Sequence, residues 1–178
     1  MLDRTQALAV LTAPDSVFAI AHTRHGSAPW REFPSAPATL RTVLEATAAY
    51  ADADALVHED GRITYAEQLR LVGHLARHLA DDLGIRQGDR VAIAMRNHPE
   101  WPLAMWAAQV LGAIAVPLNA WWTADELRYA LADSGTRVLI ADGERADLLV
   151  AAAAADGGPV APDGVGAILV AHPQGPLG

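Results

Sequence analysis

His74 and His78 stand at i, i+4 spacing, which places two imidazoles on one face of a helix and is the spacing from which a metal site can be built. The face they share also carries Arg70, Arg77 and Asp81, and no third ligand lies within reach along the sequence. It therefore reads as a charged, solvated face, and no metal ligand is assigned. The adjacent carboxylates Asp81 and Asp82 do not face each other on a helix, so they form no acid–base pair. Serines occur at 16, 27, 35 and 134, none within Gly-x-Ser-x-Gly, so a serine hydrolase is not supported. Ser134, in Asp133-Ser134-Gly135, reads as turn chemistry at a helix exit. Trp121-Trp122 could wall a binding site but reads first as packing at a strand end. The helix starts after Met95 and after Trp122 offer backbone amides to an anion, a property generic to helices.

The exclusions are firmer. All 13 basic residues are arginines, so chemistry that needs a phosphate-loop or Schiff-base lysine is closed to this chain alone. There is no Gly-x-x-x-x-Gly-Lys segment, and no Gly-x-Gly-x-x-Gly follows a strand. With no cysteine, disulfides, thiolate metal sites and cysteine nucleophiles are absent, and a reducing compartment, the cytoplasm, is the expectation. A formal charge of -8 with scattered arginines gives no basic stripe for a nucleic acid. The region Met1 to Pro14 has Asp3 and no basic start or long apolar run, so it does not read as a secretory signal. No catalytic, cofactor-binding or metal residue is assigned from the sequence.

The elements that could position a site follow from periodicity and caps. The 178 residues, 52% hydrophobic, suffice for a domain burying about 70% of its unfolded surface. Val17–His22 and Ala28–Phe33, around His25-Gly26-Ser27, predict a hairpin. Prolines 34 and 37 make a connector into a helix over 40–50. A second hairpin is expected from Ala55–Glu59 and Arg62–Thr64 around an Asp60-Gly61 turn. Thr64 and Glu67 have capping-box spacing, and Leu69, Val72, Leu75, Leu79 and Leu83 recur at helical period until Gly84.

From Gly88-Asp89 onward, strands and helices alternate. Strands are expected at 91–95, 113–118, 137–141 and 167–171. Helices are expected from an Asn97 cap to Leu111, from a Thr123–Glu126 capping box to about Asp133, and over 144–155. Strands separated by single helices predict an α/β fold with a parallel sheet flanked by helices and preceded by β-hairpins. The uncharged run Trp101 to Leu118 approaches the roughly 20 residues of a bilayer span, but Gly112 and Pro117 divide it into a helix and a strand. No transmembrane segment is expected.

Read in order, Ile63-Thr64-Tyr65-Ala66-Glu67, Gly88-Asp89-Arg90-Val91-Ala92-Ile93, Arg96-Asn97-His98-Pro99-Glu100-Trp101, Gly112 to Asn119, Glu126-Leu127, Asp133-Ser134-Gly135 and 138–142 resemble the opening of the class I adenylate-forming (AMP-binding) enzymes. The stretch Asn119 to Thr123 is more similar to their bacterial acyl-CoA synthetase, or fatty-acid–CoA ligase, branch. The resemblance runs from about Pro37 to Val170, giving expected boundaries of 1–36 for an amino-terminal extension, 37–171 for a partial synthetase amino-terminal domain and 172–178 for a truncated loop. It implies a carboxylic acid joined to coenzyme A through an acyl adenylate, with ATP, magnesium and CoA as the family's cofactors. The family's phosphate loop ending in Pro-Lys and its catalytic lysines have no counterpart here, so the resemblance implies a fragment inactive alone, with no cofactor expected in it. Its partner would be the remainder of the synthetase, or another copy through self-association. The alternative reading is a noncatalytic α/β binding or interaction module.

Overall fold

The computed structural model describes residues 2–59 and 61–171. It divides into two compact units, Met1–Thr42 and Val43–Gly178.

The first unit opens with helix α1 (Arg4–Leu11), started by a reciprocal capping box between Asp3 and Gln6 that the sequence reading did not identify. Strands β1 (Ala21–His25) and β2 (Ala28–Glu32) form the first expected hairpin. They pair antiparallel from Ala21↔Glu32 to His25↔Ala28. The first strand starts later than its residue types suggest, because Ser16 turns the chain: its carbonyl accepts from Ala19 N at 3.0 Å and its hydroxyl from Phe18 N at 3.2 Å. Gly26, at φ 60, makes the turn between the strands.

The second unit begins within helix α2 (Leu40–Ala46), which tightens into a 3₁₀ turn over Thr47–Tyr50. Strands β3 (Asp54–His58) and β4 (Gly61–Thr64) form the second hairpin. Its register corrects the expected Asp60-Gly61 turn. His58 pairs with Gly61, so Gly61 belongs to the strand, while Asp60 lies outside the described residues. Thr64 caps α3 (Tyr65–Arg77) by accepting from Glu67 N, and the last turn widens into a π turn over His78–Asp82.

Four parallel strands then form the central sheet: β5 (Arg90–Ala94), β6 (Ile114–Pro117), β7 (Val138–Asp142) and β8 (Ala167–Ala171), in the order β6-β5-β7-β8. Helices α4 (Glu100–Val110), α5 (Ala124–Ser134) and α6 (Gly143–Asp156) make the crossovers. The run Trp101 to Leu118 is thus an 11-residue helix, a turn at Gly112 and a strand, and among the described residues no helix is long and apolar enough to cross a membrane. Asn97 does not cap α4. Pro99 occupies the cap position, with no side-chain hydrogen bond, because a proline there leaves no amide to satisfy and already has helical φ.

Strand alternation decides which helix covers which face. Val91, Ile93, Val138 and Ile140 point into a core with Val72, Ala76 and Leu79 of α3 and its π turn and with Ala104, Ala107 and Ala108 of α4. Ala92, Ala94, Leu139 and Ala141 point the other way, onto Leu127 and Leu131 of α5 and Leu149 of α6. The alanines on α4 let that helix sit close to the sheet, and both faces of the central strands are buried.

Candidate functional site at the carboxyl end of the sheet

The order β6-β5-β7-β8 means that the chain leaves β5 in one direction, to β6, and then crosses back over β5 to reach β7. This is a topological switch, and the crevice outside the carboxyl ends of the two diverging strands is where open parallel sheets receive ligands. Three segments meet there: Met95 to His98 after β5, Leu118 to Trp122 after β6, and Asp142 at the end of β7.

Asp142 organises these segments. It ends β7 and caps α6, with Oδ1 accepting from Arg145 N at 3.0 Å. Its Oδ2 accepts from the backbone amide of Arg96 at 2.9 Å, which ties down the loop after β5. The Arg145 guanidinium donates through Nη1 to both carboxylate oxygens, at 3.1 and 3.0 Å, and to Glu144 at 2.9 Å, while its Nε donates to Ala120 O at 2.7 Å. Asp142 and Arg145 are only 2% and 4% exposed, so the pair fixes the loop after β6 from inside the protein. Burial opposes ionisation of Asp142, but the hydrogen bonds from the Arg96 and Arg145 amides, and then the Arg145 guanidinium, outweigh it and hold the carboxyl below its ordinary range. A carboxylate this fully engaged is a poor proton acceptor. Its work is to position three loops. His98 Nε2 lies 3.7 Å from Asp142 Oδ2 at the rim.

Above this buried pair, the Arg96 guanidinium carbon sits 3.7 Å from the centroid of the Trp121 ring. The Trp121 backbone is held by its amide bond to Asn119 Oδ1, at 3.0 Å. The two tryptophans part company here: Trp122 packs against the core under α5, whereas Trp121 remains 74% exposed. Strand-end packing therefore describes Trp122 and not Trp121.

The other sequence candidates do not converge on this crevice. His78 Nδ1 lies 2.6 Å from Asp82 Oδ2, while His74 lines an apolar groove of about 320 Å³ between α3, α4 and β8, with Leu71, Leu103 and Leu169. Among the described residues no three His, Cys, Asp or Glu side chains gather as a metal site. Ser134 Oγ donates to Ala130 O at 2.7 Å and lies 2.8 Å from Thr136 Oγ1, which is helix-exit chemistry completed by Gly135 in the left-handed region. A second groove, about 640 Å³, runs between β6 and α5 past Val116, Trp122 and Tyr129. At the amino end of α5 the Glu126 amide donates to Thr123 Oγ1, and the Thr123 amide donates to the Glu126 carboxylate. The Asp142–Arg145 pair is what residue-by-residue reading missed. Its signal was present, because an aspartate closing a strand three residues before an arginine is a cap followed by an N3 cation.

The comparisons with known proteins agree with this architecture. Residues 43–170 match the model of the AMP-binding enzyme family. A feruloyl-CoA synthase from Amycolatopsis sp. is 44% identical over 102 residues, covering 57% of this chain and 21% of that protein. The long-chain-fatty-acid–CoA ligase FadD13 of Mycobacterium tuberculosis is 43% identical over 81 residues, covering 46% of this chain and 16% of its own length. The crystal structure of the N-terminal domain of FACL13 from Mycobacterium tuberculosis superposes with a TM-score of 0.68 at 33% identity, covering 76% of this chain and 34% of that one. The chain thus spans about a fifth of the length of the curated relatives it matches. With the parallel sheet, its flanking helices and the family match all falling on the same residues, this chain belongs to the AMP-binding enzyme family.

Proposed function

We propose that this chain is the amino-terminal part of an AMP-forming acyl-CoA ligase and serves as its scaffold. The activity would be that of the whole enzyme: a carboxylic acid, fatty or other, reacts with ATP to give an acyl adenylate and pyrophosphate, and the acyl group then passes to coenzyme A with release of AMP. The observation that carries this reading is the family match over residues 43–170, together with relatives whose names are CoA synthases and CoA ligases. Cytoplasmic residence and a role in fatty-acid metabolism belong to the same proposal.

The residues present do not fit ATP with magnesium. Stabilising a transferring phosphoryl group takes positioned cations. The chain contains no lysine, and the buried carboxylate at the sheet end is already engaged by Arg145. No catalytic step is therefore routed through this chain's residues, and on this reading the chain alone is inactive. The partner that completes it is the remainder of a synthetase, with self-association as the competing fate of its uncovered surface. Strand β8 is an edge of the sheet, is uncharged and contains no proline, and it borders the apolar groove on α3 and α4.

The test measures acid-dependent pyrophosphate release and thermal melting of the purified chain, with and without the remaining portion of a related ligase supplied in trans. No release from the chain alone and a raised melting temperature on addition are expected. Release by the chain alone would refute its inactivity. A monomeric, sharply two-state melt indifferent to the added polypeptide would favour an independent binding module.

A further inference from the structure

We propose that the open edge of β1 is a docking site for an extended, acidic segment of a partner protein, which adds to the hairpin as a third strand. The hairpin lies outside the family match over residues 43–170, and the inference is separate from the ligase proposal. Its first support is the register. Pro29 has no N–H to give, so Arg24↔Pro29 is a pair that exchanges no hydrogen bonds, and by alternation His22↔Arg31 is another. The amides and carbonyls of His22 and Arg24 therefore point away from β2. Among the described residues no further strand pairs with that edge, and no turn or loop backbone group bonds to it. On the outer edge of β2, Pro29 breaks the row of donors, whereas β1 presents both of its amides.

The second support is charge. Residues two apart on a strand share a face, so His22 and Arg24 stand about 7 Å apart on one side of β1, with Arg31 across from His22. Glu32 pairs with Ala21 and belongs to the other side. Among the described residues His22, Arg24 and Arg31 make no ion pair. Arg24 Nη2 donates to Ser27 O at 2.6 Å, a neutral acceptor that leaves the guanidinium charge unmatched. His22 offers a ring N–H in either tautomer. His22, Pro29 and Arg31 also line, with Trp30, a hollow of about 420 Å³ that accepts a carboxylate side chain. Residues 1–42 hold four arginines and three carboxylates in a chain of formal charge -8, so the negative balance lies elsewhere and leaves this face cationic. A strand added beside β1 sets its side chains opposite those of His22 and Arg24, where unlike charges attract. Carboxylates at alternate positions match that spacing, and the peptide backbone supplies edge hydrogen bonds that a phosphate or a nucleic acid lacks.

The test follows the backbone amides of His22, Thr23 and Arg24 by ¹H–¹⁵N NMR in the 178-residue chain. The chain is titrated with a capped peptide of alternating glutamate and threonine, with its lysine–threonine counterpart, with a fully N-methylated copy of the acidic peptide, and with inorganic phosphate. The acidic peptide should shift the outward His22 and Arg24 amides saturably and slow their exchange with deuterium, while Thr23, which faces β2, moves little. The N-methylated copy should bind about tenfold more weakly, the loss expected from one or two hydrogen bonds. The lysine peptide should not saturate, and added salt should weaken the acidic one. Arg24→Glu combined with Arg31→Glu should reverse the preference between the two charged peptides. The peptide comparisons need no variant, so they decide the matter even where those substitutions loosen the hairpin. The proposal is overturned if the acidic peptide gives no saturable shift at His22 and Arg24, if the lysine or N-methylated peptide binds as tightly, or if inorganic phosphate reproduces the shifts and the exchange protection. None of these readouts involves adenylation, so failure here leaves the ligase proposal standing, and the converse holds.

Discussion

Replacing Asp142 by alanine removes three things at once: the cap of α6, the acceptor that holds the Arg96 loop, and the counter-charge of a buried arginine. Losing an N-cap costs about 0.5–2 kcal/mol. Breaking a buried ion pair by deleting one partner costs about 3–5 kcal/mol. Arg145 would keep its bonds to Ala120 O and Glu144, which argues for the lower end of that range and a combined loss of about 4 kcal/mol. For a chain of this size that is a fall in melting temperature of about 8–16 °C, measurable by circular dichroism.

The partner deletion, Arg145→Met, should also destabilise, by removing the guanidinium that donates to both oxygens of the buried carboxylate. The double variant should lose less than the sum of the singles, with a coupling of about 1–3 kcal/mol. The pH dependence has a definite sign. Asp142 has a folded pKa below its unfolded value of 3.8, so its contribution is full well above that value and is lost as pH falls through the depressed folded value. Asp142→Asn, which has no carboxyl to titrate, should therefore show a shallower loss of stability on the acid side. An Asp142→Ala chain that melts within about 1 kcal/mol of the parent, or a double variant whose losses simply add, would refute the claim that this pair holds the three loops together.

Thr123→Ala should cost about 1 kcal/mol in urea unfolding, because Thr123 and Glu126 satisfy each other's backbone amides at the start of α5, and Thr123→Ser should recover most of the loss. Gly135→Ala should destabilise by about 1–2 kcal/mol from its left-handed backbone alone. It should cost more than Gly84→Ala: both positions have positive φ, but a Cβ at 135 meets Arg90 Nη2 at 2.9 Å whereas one at 84 meets nothing within 4 Å. Equal thermal shifts for the two glycine variants would show that the Arg90 contact relaxes freely.

The capping box at Thr123, the helix exit at Asp133-Ser134-Gly135 and strand β8 were legible in the sequence, since each depends on neighbours within a few residues, and the α/β class followed from strands alternating with single helices. Local competition misled the reading where two residues could do one task. Pro99 took the cap position expected of Asn97, and Gly61 joined a strand although its type suits a turn. Helix α1 starts from the local Asp3–Gln6 box but buries no residue, so no apolar stripe marks it in the sequence. The order β6-β5-β7-β8 could not be read from periodicity, because the same strand pattern fits any order and only packing of helices on both faces selects one. The site followed from that choice. The Asp142 carboxylate receives Arg96 across 46 positions, and Arg145 reaches Ala120 across 25. Sequence alone therefore determined the elements and their caps, through contacts a few residues apart. The tertiary structure decided which loops meet at the sheet end, because the buried Asp142–Arg145 pair and the Arg96–Trp121 stack exist only once distant strands are side by side.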